Sequence, residues 1–361
     1  MQQIVGVATS EAVDVAIVAG DIFDRAVPPV EAVTLFVDTL QKLAEQCEVV
    51  VISGNHDSAI RLGYGAELFR PGIHIATTVE AVGDGIDIVV GDETARIFPI
   101  PFLLPDQARQ ALKTSDDPLP RSHEAVLGAA LDRVRDNLSN ATQPPTTTIV
   151  VAHAFITGAR ESDSERDISV GGVEDVNAAI FEGVDYVALG HLHGPQDVRG
   201  PGNTRIRYSG SPLRYSFSEA QHTKSVTVLE VGRPGVVEVE EVPITQPRAM
   251  AVLVGTLDDV LSEVHQQDHA QSWVQVVITD DARPADLIQR VHAAYPHALA
   301  VIHRPANFPT SVGVGVEALA ARAPTDVASD FVLAVTNQPT TSGEDALIAS
   351  VYESARNRVD Q

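Results

Sequence analysis

The sequence contains little sulfur, few aromatic residues and few basic residues relative to acidic ones. Its single cysteine, Cys47, excludes an intrachain disulfide and a multi-cysteine zinc knuckle, and it fits a reducing, cytoplasmic setting. Lys and Arg number 25 against 49 Asp and Glu, which gives a net charge of −24. Because such a chain repels polyanions, contact with nucleic acid or with an anionic membrane would need a local basic patch.

Several familiar patterns are also missing. There is no charged-then-apolar leader and no unbroken apolar run of about 18 residues, so nothing indicates export or a membrane span. No Gly-x-x-x-x-Gly-Lys-Ser/Thr loop occurs, so a nucleotide site of that kind is not expected. What is present, 361 residues with 44% hydrophobic and 5% aromatic content, is ordinary for a globular protein of about two domains.

The central motif is an apolar stretch that ends in a glycine and two carboxylates, residues 17–24. Residues 13–19 have the β-branched composition of a buried parallel strand, and the chain can turn sharply at Gly20. Asp21 then follows the carboxyl end of a strand. Ligands bind at that edge of open α/β sheets, so Asp21 can hold a cation there. The alternative interpretation is an ordinary Gly-Asp turn.

A helix is predicted after this loop. Pro28 and Pro29 start it, its apolar positions follow the 3.6-residue period, and we expect that face to lie on the sheet. Together with a strand at 49–52 it forms a βαβ crossover. The apolar positions are Val33, Phe36, Val37, Leu40, Leu43 and Ala44.

Three more predicted strands end in residues that can bind metal. The strand at 49–52 leads into Ser53–Asp57, the strand at 148–152 into a histidine, and the strand at 184–189 into Gly-His-Leu-His. Two histidines two residues apart on an extended segment face the same side and can reach one metal cluster. A lone histidine after a strand is more often a core residue. Together with the strand before Asp21, however, four successive strands end in residues that can bind metal, and this favours a metal site. The residues are Asp21, Asn55, His56, His153, His191 and His193.

These motifs resemble those of the metallophosphoesterase superfamily, and within it those of the Mre11-like nuclease subunits of bacterial SbcCD-type complexes. The closer resemblance rests on five segments, 53–63, 151–155, 162–166, 189–196 and 208–220. It implies an α/β fold, in which a metallophosphoesterase β-sandwich is flanked by helices in four layers. A small α/β capping domain and a helical C-terminal tail would follow.

The resemblance also implies a set of metal ligands. Asp21 would bridge two divalent ions, usually Mn²⁺, Asn55, His153 and His191 would complete the ligands of one ion, and His193 would bind the other. Carboxylate, amide and imidazole groups suit Mn²⁺, and two ions about 3.5–4 Å apart can activate water and hold phosphodiester oxygens for in-line displacement.

Two more residues receive roles from the resemblance. His56 would stand beside the metals as a proton donor or transition-state stabiliser, and Asp57 would orient it. Asp24 would be an outer or turn residue. The alternative for Asp24 and Asp57 is a structural role in a turn or a helix cap.

One family motif has no counterpart here. The family carries an Asp-x-His pair some tens of residues before the Gly-Asp-x-x-Asp loop, whereas the 20 residues before Asp21 contain none. We expect that Met1 is not the native start and that an upstream strand supplies this pair. A chain that truly began at Met1 would have one complete metal site and little nuclease activity.

The best local basic segment runs from Arg199 to Lys224. It carries five basic residues against one carboxylate, Glu219, with aromatic residues interleaved. Such a segment can contact phosphates without reading sequence. The alternative is an ordinary solvated strand pair. The candidate DNA-binding residues are Arg61, Arg205, Arg207 and Arg214.

We expect a nuclease domain over residues 1–245, a capping domain over 246–308 and a tail over 309–361. Helices predicted at 326–336 and 343–356 would dock on an SbcC/Rad50-like ATPase by a helix-in-groove mode, or else fold back on the cap. The resemblance further implies a homodimer within a heterotetramer.

The resemblance implies a Mn²⁺-dependent DNA exonuclease and endonuclease subunit that acts in DNA repair, replication and recombination. Two alternatives stay open. One is a phosphatase or phosphodiesterase on a smaller substrate, because a metal cluster alone does not choose the phosphoester. The other is a scaffold that tethers DNA without cutting it.

Overall fold

The computed structural model describes residues 1–69, 71–168, 175–233, 235–305, 323–336 and 338–359. The chain divides into two units, Met1–Pro247 and Arg248–Gln361. Each unit has its own sheet and its own hydrophobic core.

The strands described in the first unit form two sheets and a hairpin. One sheet is all parallel, with the order β1-β2-β3, and the other has six strands in the order β4-β5-β6-β7-β9-β8; β10 and β11 form an antiparallel hairpin. The strands are β1 (Val15–Ala19), β2 (Glu48–Ile52), β3 (Ile73–Ala76), β4 (Ile86–Val90), β5 (Glu93–Pro99), β6 (Thr147–His153), β7 (Tyr186–Gly190), β8 (Gln196–Arg199), β9 (Arg205–Tyr208), β10 (Ser225–Gly232) and β11 (Gly235–Pro243).

Helices cover the outer faces of the two sheets. The longest in this unit, α5, is capped by Ser122, whose side chain accepts a hydrogen bond from the Ala125 N–H and so satisfies one of the free donors of the first turn. The α-helices are α1 (Gln2–Ser10), α2 (Val30–Ala44), α3 (Ala59–Leu62), α4 (Pro105–Ala111) and α5 (His123–Asn140).

The side-chain alternation of the strands builds four layers. In β2, Val49 and Val51 join the core under α1 and α2, while Val50 and Ile52 face the second sheet. The second sheet repeats this pattern, since Ile149 and Val151 face the first sheet and Val150 packs under α5. Successive side chains of a strand point to opposite faces. The predicted sandwich between two helical layers is thus confirmed.

The prediction for α2 is only half right. Leu40 and Leu43 are buried, but Val33 and Val37 are 39% and 43% exposed. Periodicity shows which residues share a helix face. It does not show how far the sheet extends beneath that face, so the N-terminal half of the apolar stripe remains open.

The topology brings the four motif-bearing strand ends together. β1 and β2 are neighbours in one sheet, with Ala19 opposite Ile52, and β6 and β7 are neighbours in the other, with His153 opposite Gly190. β1 contacts both β6 and β7 across the interface. The polar residues after each strand therefore meet at one edge of the sandwich.

The second unit is a three-stranded parallel sheet with helices, in the order β12-β13-β14. Two short helices follow its first strand, because Thr256 caps one in a capping box and Ser262 precedes the other. The elements are β12 (Met250–Gly255), α6 (Leu257–Val260), α7 (Glu263–His269), β13 (Trp273–Ile278), α8 (Leu287–Ala294) and β14 (Ala298–His303).

Two C-terminal helices, Pro324–Thr336 and Ser342–Val359, confirm the helices predicted there. They contact each other, and Ser329 Oγ donates to Asp345 Oδ1 at 3.1 Å. Residues 309–322, where the predicted tail begins, lie outside the described residues. None of the described helices is both long and apolar enough to cross a bilayer.

Candidate metal centre

The loop after β1 has a backbone that holds Asp21 in an uncommon conformation. Gly20 has a φ of 89° and Asp21 a φ of 51°. A Cβ on Gly20 would lie 2.4 Å from His153 Nδ1 and 2.9 Å from the Gly54 backbone, so only glycine fits. Positive φ at a non-glycine residue costs energy and concentrates at functional sites. The strain at Asp21 is therefore consistent with a ligand role.

Asp21, His153 and His191 form one cluster. Each offers one ligand atom, and these atoms lie within 4.8 Å of one another. His153 Nε2 lies 3.3 Å from Asp21 Oδ2, and the two imidazole rings are 5.5 Å apart. Asn55 completes the group, because its Oδ1 lies 2.9 Å from His153 Nε2 and 3.4 Å from His191 Nδ1. Four of the five predicted ligands thus converge.

A backbone carbonyl orients the His153 ring. His153 Nδ1 donates to the Ala19 carbonyl at 2.9 Å, which directs Nε2 at Asp21 and Asn55. Metal-binding histidines usually hold their second nitrogen in this way. The link crosses from β6 to the end of β1, so the ring is fixed by the contact between the sheets.

Burial and charge act in opposite directions in the cluster. Burial alone would raise the pKa of Asp21, but the charge and hydrogen bond of His153 and the His56 N–H hold it well below its usual range. Burial lowers the pKa of His153, yet Asp21 raises it above its ordinary value. Burial and the neighbouring His153 lower the pKa of His191 to about 3, which keeps that imidazole neutral.

The cluster fits a divalent cation. His191 Nε2 is buried without a hydrogen-bond partner in the part of the chain that the structure describes, and an unpaired buried nitrogen is costly. His191 also has a φ of 104°. One carboxylate, one amide and two imidazoles form a ligand set that suits a divalent transition-metal ion. Such an ion would use the lone pair that the protein leaves unpaired.

His56 lies beside the cluster, as the resemblance implies. Its Nδ1 donates to the Asp24 carbonyl at 3.0 Å, and its Nε2 lies 3.9 Å from Asp21 Oδ2. Its own N–H donates to Asp21 Oδ1 at 3.0 Å. The ring is therefore held by a backbone group.

The expectation that Asp57 orients His56 needs correction. The hydrogen bonds described for the Asp57 carboxylate come from the N–H groups of Ile22, Phe23 and Gly54, at 2.9 to 3.1 Å. Burial raises the pKa of Asp57, and these three donors offset part of that effect. Asp57 thus ties the β1 loop to the β2 loop, which is the structural alternative.

His193 lies outside the ligand cluster. Its Nδ1 lies 2.7 Å from Ser164 Oγ and 3.3 Å from Glu219 Oε1. Lys224 ion-pairs with the other oxygen of Glu219, and the side chains of both residues are completely buried. In the sequence, Glu219 and Lys224 count only as charges of a basic segment, and Ser164 has no apparent role. No pattern in the sequence indicates that Glu219 and Lys224 are buried.

The basic patch is largely internal. Arg207 is buried and ion-paired with Asp197 at 2.9 Å and Glu241 at 2.6 Å. The Arg214 guanidinium donates to the His222 carbonyl at 2.8 and 3.1 Å. As a candidate DNA contact Arg207 is corrected, because its guanidinium is buried and ion-paired. Arg214 is half-buried, with two of its three guanidinium nitrogens bonded to a backbone carbonyl. Arg61 and Arg205 are exposed.

Comparisons with known proteins agree with this geometry. Residues 1–195 match the family model described as calcineurin-like phosphoesterase. Residues 246–336 match the SbcD_C model, described as type 5 capsule protein repressor C-terminal domain. The chain is 30% identical over 291 residues to the SbcD subunit of the nuclease SbcCD of Staphylococcus epidermidis, a match that covers 80% of this chain and 74% of the relative.

The sandwich and the Asp-Asn-His-His group at its strand ends define a metal-dependent phosphoesterase. The chain belongs to the SbcD family of calcineurin-like phosphoesterases, the family of the SbcCD nuclease subunit found in S. epidermidis.

Replacing Asp21 should weaken metal binding. Asp21→Asn keeps the shape of the side chain but removes its charge, and we expect the affinity for Mn²⁺ to fall at least about tenfold. Asp24→Asn is the matched control from the same loop, because its side chain is 76% exposed and its carboxylate lies 4.0 Å from His56 Nδ1, beyond hydrogen-bond distance. Isothermal titration with MnCl₂ measures both. Equal affinities of the two variants would refute the assignment of Asp21.

Acid stability should depend on Glu219. Burial would raise the pKa of Glu219, but hydrogen bonds from His193, Lys224 and Ser164 lower it from 4.5 to about 2. Its stabilising effect is therefore present above about pH 4.5 and lost as the pH falls toward 2. In the Glu219→Gln/Lys224→Met variant, the free energy of unfolding should fall less steeply with acid, by at most about 1.4 kcal/mol per pH unit.

Urea unfolding at a series of pH values measures that slope. Glu182→Gln, which changes an exposed glutamate, is the control and should keep the slope of the unaltered chain. A double variant with an unchanged slope would show that the Glu219 carboxylate does not contribute.

Proposed function

We propose that this chain hydrolyses phosphodiester bonds in DNA, with Mn²⁺ held by Asp21, Asn55, His153 and His191, as an exonuclease and endonuclease in DNA repair, replication and recombination. The observation that carries the proposal is the convergence of these four side chains at the strand ends of two facing sheets. Carry-over from the related nuclease of S. epidermidis supports DNA as the substrate.

The residues around the metal would have separate tasks. When bound, the ion would supply an activated water and polarise the phosphodiester oxygens. His56 is held through Nδ1 by the Asp24 carbonyl, so a proton given to a substrate oxygen would come from Nε2 of the doubly protonated ring. Asp57 keeps the two loops in register through three backbone N–H groups.

Cleavage of DNA by the full chain tests this proposal. With Mn²⁺ and end-labelled linear duplex, we expect slow product formation from the 361-residue sequence, as expected for one complete metal site, and EDTA and Asp21→Asn should abolish it. His56→Asn should lower kcat about 10²- to 10⁴-fold while Mn²⁺ still binds, and Asp24→Asn should cleave normally. Turnover of bis-p-nitrophenyl phosphate without DNA cleavage would favour the smaller-substrate alternative. Tight duplex binding without any cleavage would favour the scaffold.

We also propose that exposed basic residues guide DNA to the site. Arg61 lies on α3, directly after the loop that carries Asn55 and His56, and its side chain is exposed. Arg205 is exposed on β9. Because the chain as a whole is acidic, a few such residues have to provide the phosphate contacts.

Arg61→Ala should weaken duplex binding at every sequence. Loss of one phosphate contact should also reduce the slope of log Kd against log salt by about 1. Fluorescence anisotropy over a salt series measures both quantities. Lys113→Ala, which removes another exposed cation of the same unit, is the control. A slope that matches the control would remove Arg61 from the DNA-binding surface.

The C-terminal helices are proposed as the surface for a partner ATPase. Phe331 is 67%, Leu347 64% and Val351 60% exposed, and exposed apolar residues of helices can insert into a partner groove. The matched relative is named as a subunit of SbcCD, so an SbcC/Rad50-like ATPase is the partner that this surface would suit. A homodimer within a heterotetramer would be its assembly.

A further inference from the structure

His193 is held at each of its polar groups except one ring nitrogen. Its N–H donates to Glu165 Oε1 at 2.8 Å, and its carbonyl accepts from Lys224 Nζ at 2.8 Å. Its Nδ1 lies 2.7 Å from Ser164 Oγ and 3.3 Å from Glu219 Oε1. Among the described residues, no hydrogen bond reaches Nε2. Because its backbone is held at both polar groups and its ring at Nδ1, the His193 side chain presents Nε2 with little freedom.

Two buried charges anchor this arrangement. The side chains of Glu219 and Lys224 have no exposed surface, and they form an ion pair. All three ammonium protons of Lys224 are used, by Glu219, by the His193 carbonyl and by Ser211 Oγ at 2.9 Å. A buried ion pair is weak evidence for stability, since apolar residues often serve as well. The contacts that this ion pair makes with His193 indicate that it positions the His193 ring.

A count of protons fixes the tautomer of His193. The Glu219 carboxylate only accepts hydrogen bonds, so the single proton of the Ser164 hydroxyl goes to Glu219 Oε1, 2.5 Å away. The Ser164 oxygen is then left as an acceptor for His193 Nδ1. Ser162 Oγ, 2.8 Å from Ser164 Oγ, does not change this, because its proton goes either to Glu165 Oε2 at 2.7 Å or to the Ser164 oxygen, and neither choice alters the bond from Ser164 to Glu219. The neutral ring therefore carries its proton on Nδ1.

We propose that Ser164, Glu219 and Lys224 are positioning residues that fix His193 as the Nδ1–H tautomer and leave the lone pair of Nε2 available to the metal centre. That Nε2 then contacts a metal ion rests on the function proposed above. The tautomer itself does not, because it follows from hydrogen bonds inside the protein.

Histidine nitrogen NMR of the metal-free full chain tests the inference. The His193 signals are identified by their loss in His193→Gln. We expect a pyrrole-like signal from Nδ1 and a pyridine-like signal from Nε2. Ser164→Ala should move both signals toward a mixture of tautomers, whereas Ser162→Ala, from the same turn, should leave them in place. In Mn²⁺-dependent cleavage, Ser164→Ala should lower kcat about 10- to 100-fold with KM unchanged.

A proton on Nε2 in the unaltered chain would overturn the inference, and so would a Ser164→Ala spectrum identical to that of Ser162→Ala. The Glu219→Gln/Lys224→Met variant removes both buried charges together and should also give mixed tautomers if it folds; if it does not fold, the two serine variants decide. A chain with the expected tautomer that cleaves no DNA would support the positioning inference and contradict the proposed function.

Discussion

The hydrogen bond from His153 to the Ala19 carbonyl is the contact on which the rest of the site depends. It joins the last residue of a strand in one sheet to the last residue of a strand in the other. Because the ring cannot turn without breaking this bond, its second nitrogen stays directed at Asp21 and Asn55. The packing of the two sheets against each other therefore fixes the positions of the candidate ligands.

Close approach of the backbone makes this contact possible. A Cβ on Gly190 would lie 1.7 Å from the Ala19 carbonyl, and one on Gly54 would lie 2.1 Å from Asp21 Oδ1. Real Cβ atoms do not approach other atoms so closely. Gly190 therefore marks where the two sheets touch, and Gly54 marks where the β1 and β2 loops of one sheet touch. The left-handed backbone of Asp21 and His191 belongs to the same constraint. The unfavourable dihedrals are tolerated because the surrounding packing leaves no other arrangement.

Carboxylates of this acidic chain pair with several of its few basic residues. In the sequence these basic residues look like a phosphate-binding patch. In the structure they form ion pairs with carboxylates of the protein itself. Arg207 pairs with Asp197 and Glu241, and Lys224 pairs with Glu219. Burying a charge without a partner is costly, so these cations stabilise the fold and the region around His193. Any phosphate contacts would therefore have to come from exposed residues such as Arg61.

The sequence by itself determined the sandwich, its helices and the four candidate ligand positions Asp21, Asn55, His153 and His191. Strand and helix periodicity depend on local side-chain pattern, and parallel strands place their carboxyl ends at one edge. Only the tertiary structure decided how Asp57, His193 and Arg207 are used, because each role depends on partners distant in the sequence, such as Ile22, Glu219 and Glu241. Charge and spacing along a chain do not encode which buried donor meets which acceptor; the packing of the sheets does.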